Sequence, residues 1–378
     1  MQIYIHIPFC VKKCAYCDFL SASQSDETID AYVEGLIQEI QAHSFERKNP
    51  CVTTVFFGGG TPSVLTPEQM EKIFHALREQ FHISEEAEIT IEVNPGTVTK
   101  EKLDMYQKCG VNRLSFGLQS TNNRELKLLG RIHTYEEFLE NYSLARACGF
   151  GNINIDLISA IPKQTLESWT QTLNDVVKLN PEHISAYSLI VEEDTPFARL
   201  YGEGCPNEKD LPSEEEERAI YYKTEEVLNA HGYFKYEISN YAKPEKECRH
   251  NLGYWERKEY LGLGLGAASL IENTRFRNTR NLEFYLEHAC EPKKLQREKQ
   301  ALSQKEQIEE FLFLGLRKTK GITLEEFERN FGIQAEVYYQ EQFEKLLKSK
   351  LLEKEGDTIR LTKKGMDVSN YVFAEFIL

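Results

Sequence analysis

The run IHIPFCVKKCAYCDFLS, residues 5–21, begins as an apolar strand and ends in a loop carrying three cysteines. Cys10, Cys14 and Cys17 are spaced C-x3-C-x2-C, and Asp18-Phe19 then closes the run without a fourth. Four thiolates complete either a structural zinc site or a cubane cluster. Three thiolates on a cube leave one iron open to another ligand. The alternative is a zinc ion with a remote fourth ligand such as His6 or Cys51. Tetrahedral zinc sites are usually built from paired knuckles, and no second knuckle follows here.

Outward from this loop, short β-like runs alternate with helical patterns. The strand candidates are IYIHI (3–7), TVFFG (54–58), EITIEV (88–93), RLSFGL (113–118), NINIDLI (152–158) and HISAYSL (183–189). Between them, apolar residues recur at three and four, as in Ile29, Tyr32, Val33, Leu36, Ile37 and Ile40. Thr66-Pro67-Glu68-Gln69 reads as a capping box with proline at the first helical position. Six β-α units in series predict an α/β fold with a parallel sheet coiled into a partial (β/α)6 TIM-like barrel over residues 1–200. The cysteine loop follows the first strand, which places it at the barrel mouth. Residues 201–300 read as a linking region. Residues 301–378 read as a winged-helix-like α+β domain, with helices at 303–317, 323–331 and 335–349, a hairpin about Gly356-Asp357 and a last helix.

The chain has 378 residues and a net charge of −15. Such a balance does not gather phosphate backbones. The C-terminal segment from Ser303 carries 12 Lys+Arg against 14 Asp+Glu, a net of −2, so its winged-helix pattern lacks the basic stripe of a DNA reader. No apolar run is long enough for a membrane span, and the first residues lack a signal-peptide pattern. Nine cysteines, an odd count, fit a reducing cytoplasm rather than a disulfide framework. A homodimer is the default oligomer.

Polar residues gather at the expected strand ends. Gly58-Gly59-Gly60-Thr61-Pro62 follows the second strand, where glycine lets backbone approach a ligand closely; the same run also serves as a tight turn. Glu92 and Asn94 end the third strand and Gln119 the fourth. Asp156 lies inside the fifth, where an unpaired carboxylate is costly. Arg131, in LLGRIHT, reads on its own as a surface arginine.

The C-x3-C-x2-C loop resembles the motif of the radical S-adenosylmethionine (SAM) superfamily. The ordered set YIHIPFC, FFGGGTPS, EVNPGT, RLSFGLQS, LGRIHT and NIDLI resembles the oxygen-independent coproporphyrinogen III oxidase group within it. This resemblance implies a [4Fe-4S] cluster on Cys10, Cys14 and Cys17, with SAM chelating the open iron. It implies SAM contacts from Tyr4, Tyr16, Gly59, Gly60, Thr61, Glu92, Gln119, Arg131 and Asp156. Two features separate the chain from the oxidase. Phe19 stands where the oxidase motif has a further cysteine, and the oxidase carries an extension before the motif. HNLGYW (250–255) resembles the HNxxYW motif of the HemW-type branch, regarded as haem chaperones. That branch implies haem as a ligand, an acceptor protein such as a respiratory enzyme as a partner, and no catalytic residue of a decarboxylase. For His250 it suggests an axial haem ligand, with Tyr254 and Trp255 as flat faces and Arg249, Arg257 and Lys258 for propionates. A buried or capping histidine beside two core aromatics is the alternative. Cys248 reads as a passive thiol or a second haem contact.

Overall fold

The computed structural model describes residues 1–43 and 50–377. Its first half runs β1 (Gln2–Ile7), α1 (Asp26–Ala42), β2 (Val52–Gly59), α2 (Pro67–Gln80), β3 (Ile83–Val93), α3 (Lys100–Lys108), β4 (Arg113–Gln119), α4 (Asn123–Leu128), α5 (Tyr135–Ala147), β5 (Ile153–Ser159), α6 (Leu166–Lys178) and β6 (His183–Ser188). β1 to β6 pair in sequence order, all parallel. This is the expected partial α/β barrel, and along its strands buried apolar residues, such as Ile3, Ile5 and Ile7, alternate with polar ones, such as Gln2 and His6. The helices begin where the local chemistry dictates. Thr66 and Gln69 form the reciprocal capping box, with Pro67 in the first turn. Thr134 with Glu137 and Thr165 with Ser168 repeat it on α5 and α6.

The region from 201 to 300 also adds strands to this sheet. After α7 (Pro196–Tyr201) and α8 (Glu214–Ala230), β7 (Phe234–Lys235) and β8 (Asn240–Ala242) extend it antiparallel beyond β6. After α9 (Arg249–Trp255), β9 (Tyr260–Leu263) pairs parallel with the far side of β1. β10 (Ala268–Ile271), β11 (Thr274–Asn278) and β12 (Gln296–Ala301) follow as a meander. The sheet thus has twelve strands among the described residues and remains open. The glycine-rich YLGLGLGAAS segment is β9, its turn and the start of β10. Gly262 and Gly264 have no room for a Cβ, which would meet Ala268 O at 2.1 Å and the Tyr32 hydroxyl at 2.4 Å respectively. Close backbone packing explains this run without a dinucleotide.

The C-terminal segment has its own core, including Ile308, Phe311, Leu312, Phe327, Phe343 and Ile359. The expected hairpin, Leu352–Glu355 and Thr358–Leu361, gains a third strand at Ile322–Thr323. The helix expected at 335–349 is broken at Tyr339 into two pieces, and the last helix is broken at Val368. No helix among the described residues is long and apolar enough to cross a membrane.

Candidate functional site at the barrel mouth

The cysteine loop is pinned at its base and open above. Phe9 is buried edge-on against Tyr32, and Cys10 N–H donates to Ala22 O while Ala22 N–H donates to Pro8 O. The segment from Cys10 to Ser21 therefore stands out from the C-terminal edge of β1 as a closed loop. Its far side is tied to the barrel where Ala15 N–H donates to Leu129 O and Ala15 O accepts from Phe197 N–H. All three cysteines are half-buried and free, and burial pushes the Cys17 thiol up. No group of three His, Cys, Asp or Glu among the described residues is disposed to hold a single metal ion. A cube asks something different of its ligands, because each thiolate meets its own iron.

A continuous polar chain links two of the sulfurs. The Thr61 hydroxyl donates to Cys10 Sγ at 3.5 Å, and Asn94 Nδ2 donates to Thr61 Oγ1 at 2.7 Å. Arg131 NH2 donates to Asn94 Oδ1 and to Gly117 O, both at 2.6 Å, while its NH1 reaches Cys14 Sγ at 3.5 Å. Arg131 is therefore an inward arginine, in place of the surface arginine that its local sequence suggests. Its Nε is buried and has no hydrogen-bond partner. Side-chain donors thus lie against two of the three sulfurs, and the donor set fits a cluster held at this loop. Gly60 lets the chain leaving β2 lie close against the chain leaving β1. Its N–H donates to Ile7 O, and a Cβ there would meet Phe9 O at 2.6 Å. At Gly59 φ is +110, and a Cβ would strike the His6 ring at 2.4 Å.

The remaining expected residues line the strand ends and the lumen. Tyr4 OH meets His6 Nδ1 at 3.0 Å. Tyr16 packs edge-on against Phe197. Glu92 accepts from Gly59 N–H at 3.1 Å, and burial, aided by the Asp156 charge, pushes its carboxyl up to about 8. Asp156 accepts from Asn154 Nδ2 at 2.8 Å and Ser115 Oγ at 3.0 Å; burial raises it too. Gln119 lies at φ 73, in the left-handed region, where the pairing of β4 with β5 shifts register. A non-glycine residue held there is strained, a feature that clusters at functional sites. A cavity of about 180 Å³ reaches from Tyr4, Glu92 and Asp156 down to Arg113, His250 and Tyr254. A second hollow, at the mouth, brings Cys14, Thr61, Asn94 and Arg131 together.

His250 is not at the mouth. It lies on α9, which closes the opposite end of the lumen, and it is 1% exposed. Both ring nitrogens are engaged: Nδ1 with Thr54 Oγ1 at 2.7 Å and Nε2 with Tyr254 OH at 3.0 Å. Phe56 stacks on the ring, and burial pulls its pKa down to about 3. The Glu88 carboxylate accepts from Arg249 N–H and His250 N–H at the start of α9, each at 3.0 Å. The neighbours expected to serve a macrocycle are equally occupied. Arg257 pairs with buried Glu310, Arg249 NH1 donates to Glu86 O, Lys258 pairs with Glu256, and Trp255 lies under Arg317 of the C-terminal segment at 4.5 Å. Burial pushes the Cys248 thiol up to about 12. An iron bond at His250 would require the Tyr254 or Thr54 contact to break. Gly253 shows how tightly α9 is seated, since a Cβ there would meet the Gln2 amide at 2.2 Å. That amide donates to His250 O at 2.9 Å. Gly253→Ala is expected to cost about 1–3 kcal/mol by overpacking, read as a lower urea midpoint with an unchanged slope.

Sequence reasoning passed over Arg113 and Glu88. Each stands first in its strand candidate, where a charge is ordinarily solvated, and only the fold buries them, at 2% and 6% exposure.

The chain resembles known proteins along its whole length. The profile of the radical SAM superfamily matches residues 4–176, and that of the HemN C-terminal domain matches residues 302–368. The "Heme chaperone HemW" of Lactococcus lactis is 39% identical, with 99% of this chain and 97% of that protein covered. The protein of the same name from Bacillus subtilis is 36% identical over 99% and 98% respectively. Among solved structures, coproporphyrinogen III oxidase (HemN) from Escherichia coli, described as a radical SAM enzyme, superimposes with a TM-score of 0.85. It is 27% identical and covers 99% of this chain and 89% of its own.

Proposed function

We propose, from the premise that this chain belongs to the radical SAM superfamily and within it to the HemW family, that it is a haem chaperone. It holds a [4Fe-4S] cluster on Cys10, Cys14 and Cys17, binds SAM at the barrel mouth and passes haem to an acceptor protein. The observation carrying this reading is the relation to haem chaperones over 99% of the chain. Cluster and SAM together supply one-electron chemistry at an open iron.

The chain's own side chains orient and shield. Arg131, braced by Asn94 and Gly117 O, is placed to take the SAM carboxylate. The backbone about Gly59, Gly60 and Thr61 faces the methionine end. Asp156, braced by Asn154 and Ser115, takes ribose hydroxyls. Tyr4, Tyr16, Glu92 and Gln119 complete the walls. Haem docks at the mouth. The lumen, at about 180 Å³, lies below the range of roughly 300–1,000 Å³ for drug-sized ligands. By contrast, Val11, Phe19, Ile132 and Ile190 leave apolar side chains more than half exposed on loops at the C-terminal edge.

The test is a haem titration of the anaerobically reconstituted protein beside a coproporphyrinogen III assay with SAM and a reductant. Stoichiometric haem binding without protoporphyrinogen is the expected result. Protoporphyrinogen formation would establish the oxidase reading, which the TM-score of 0.85 to HemN favours. His250→Ala is expected to lower stability by about 1–3 kcal/mol, because Thr54 and Tyr254 lose a buried partner, while haem affinity stays within threefold. Lost haem binding at normal stability would return the ligand role to His250.

A further inference from the structure

Arg113 opens β4 and is 2% exposed, yet its guanidinium makes no hydrogen bond or ion pair within the described residues, and its Nε is buried without a partner. It forms part of the wall of the lumen cavity. A buried guanidinium without hydrogen bonds is expensive, because water is lost and nothing replaces it. The nearby acids do not supply the missing contacts. Glu88 is taken by Arg249 N–H, His250 N–H and the Cys248 thiol. Asp156 is taken by Asn154 and Ser115. Glu92, the remaining acid of the cavity, is mainly protonated at neutral pH because burial raises its carboxyl to about 8. Cys248, Glu88, Tyr236 and Asp156 act on the Arg113 guanidinium through space, without a hydrogen bond to it.

We propose that the lumen is a binding pocket for a small carboxylate, seated on the guanidinium of Arg113. A carboxylate matches the planar fork of arginine with two parallel hydrogen bonds. The cavity of about 180 Å³ has the volume of roughly six waters, which suits a short acid and excludes a porphyrin. Ser185 and Asn251 offer further polar contacts in the wall, and Phe56 offers an apolar face for a carbon chain. This site lies at the other end of the lumen from the cysteine loop, so it stands or falls independently of where haem docks.

Sodium propionate is the probe, titrated calorimetrically into the full-length, cluster-reconstituted protein with sodium chloride at matched ionic strength as the reference. One saturable site per chain is expected, with affinity at least tenfold weaker in Arg113→Gln and intermediate in Arg113→Lys. Should Arg113→Gln fail to fold, crystals of the wild-type protein soaked in propionate decide the matter. Density for a carboxylate on the Arg113 guanidinium supports the site. Absence of saturable binding above the chloride reference overturns it. So does a folded Arg113→Gln that binds as the wild type does, or propionate found only elsewhere in the crystal.

Discussion

Cys14→Ala is expected to abolish the cluster, taking iron from about four atoms per chain to background. A cube gripped at three corners has no spare ligand, and the loop offers no substitute, since the other six cysteines lie outside it. The substitution also strips Arg131 of its sulfur acceptor at 3.5 Å, leaving a buried cation with one contact fewer. Iron and sulfide analysis after anaerobic reconstitution checks the result, and SAM affinity is expected to fall at least tenfold alongside. Cys51→Ala and Cys290→Ala, both at exposed positions, are expected to retain full iron. Retention of the full complement by Cys14→Ala would end the three-thiolate reading of the loop.

Glu92→Gln is expected to flatten the dependence of stability on pH. The ordinary value of this carboxyl is 4.5, and burial raises it to about 8 in the folded chain. Between those values the folded chain keeps a proton that the unfolded chain has released. The contribution is therefore fully present below 4.5 and is lost as pH rises through 8. Each pH unit in that window is worth about 1.4 kcal/mol, which makes several kcal/mol across it. Glutamine has the shape of the protonated acid and does not ionise. Urea denaturation from pH 5 to 8, at matched cluster content, should show a slope in the wild type that is shallower in the variant by up to about 1.4 kcal/mol per unit. Equal slopes would mean that Glu92 is ionised in the folded protein.

The six parallel strands were legible because apolar residues alternate with polar ones at a period of two, as in QIYIHI and INIDLIS. The additional strands were not. β7 and β8 have two and three residues, and β12, QREKQA, is exposed over nearly its whole length. Such segments become strands only because a neighbour offers hydrogen bonds. In β9 that neighbour is β1, more than 250 residues away in the chain. The break at Tyr339 has the same origin. The local pattern continues through it, but the Tyr339 ring is buried and its hydroxyl donates to Phe376 O, a contact with the end of the chain.

The sequence by itself determined the cysteine loop, the β-α alternation and the helix caps, because spacing, periodicity and capping act over a few residues. Only the tertiary structure decided that Arg131 faces inward to Cys14, that Arg113 stands unpartnered in the lumen, and that His250 is sealed between Thr54, Phe56 and Tyr254. Whether a polar side chain is solvated, paired or left open depends on groups that the fold brings from distant strands, and the electrostatic cost of burial is set there.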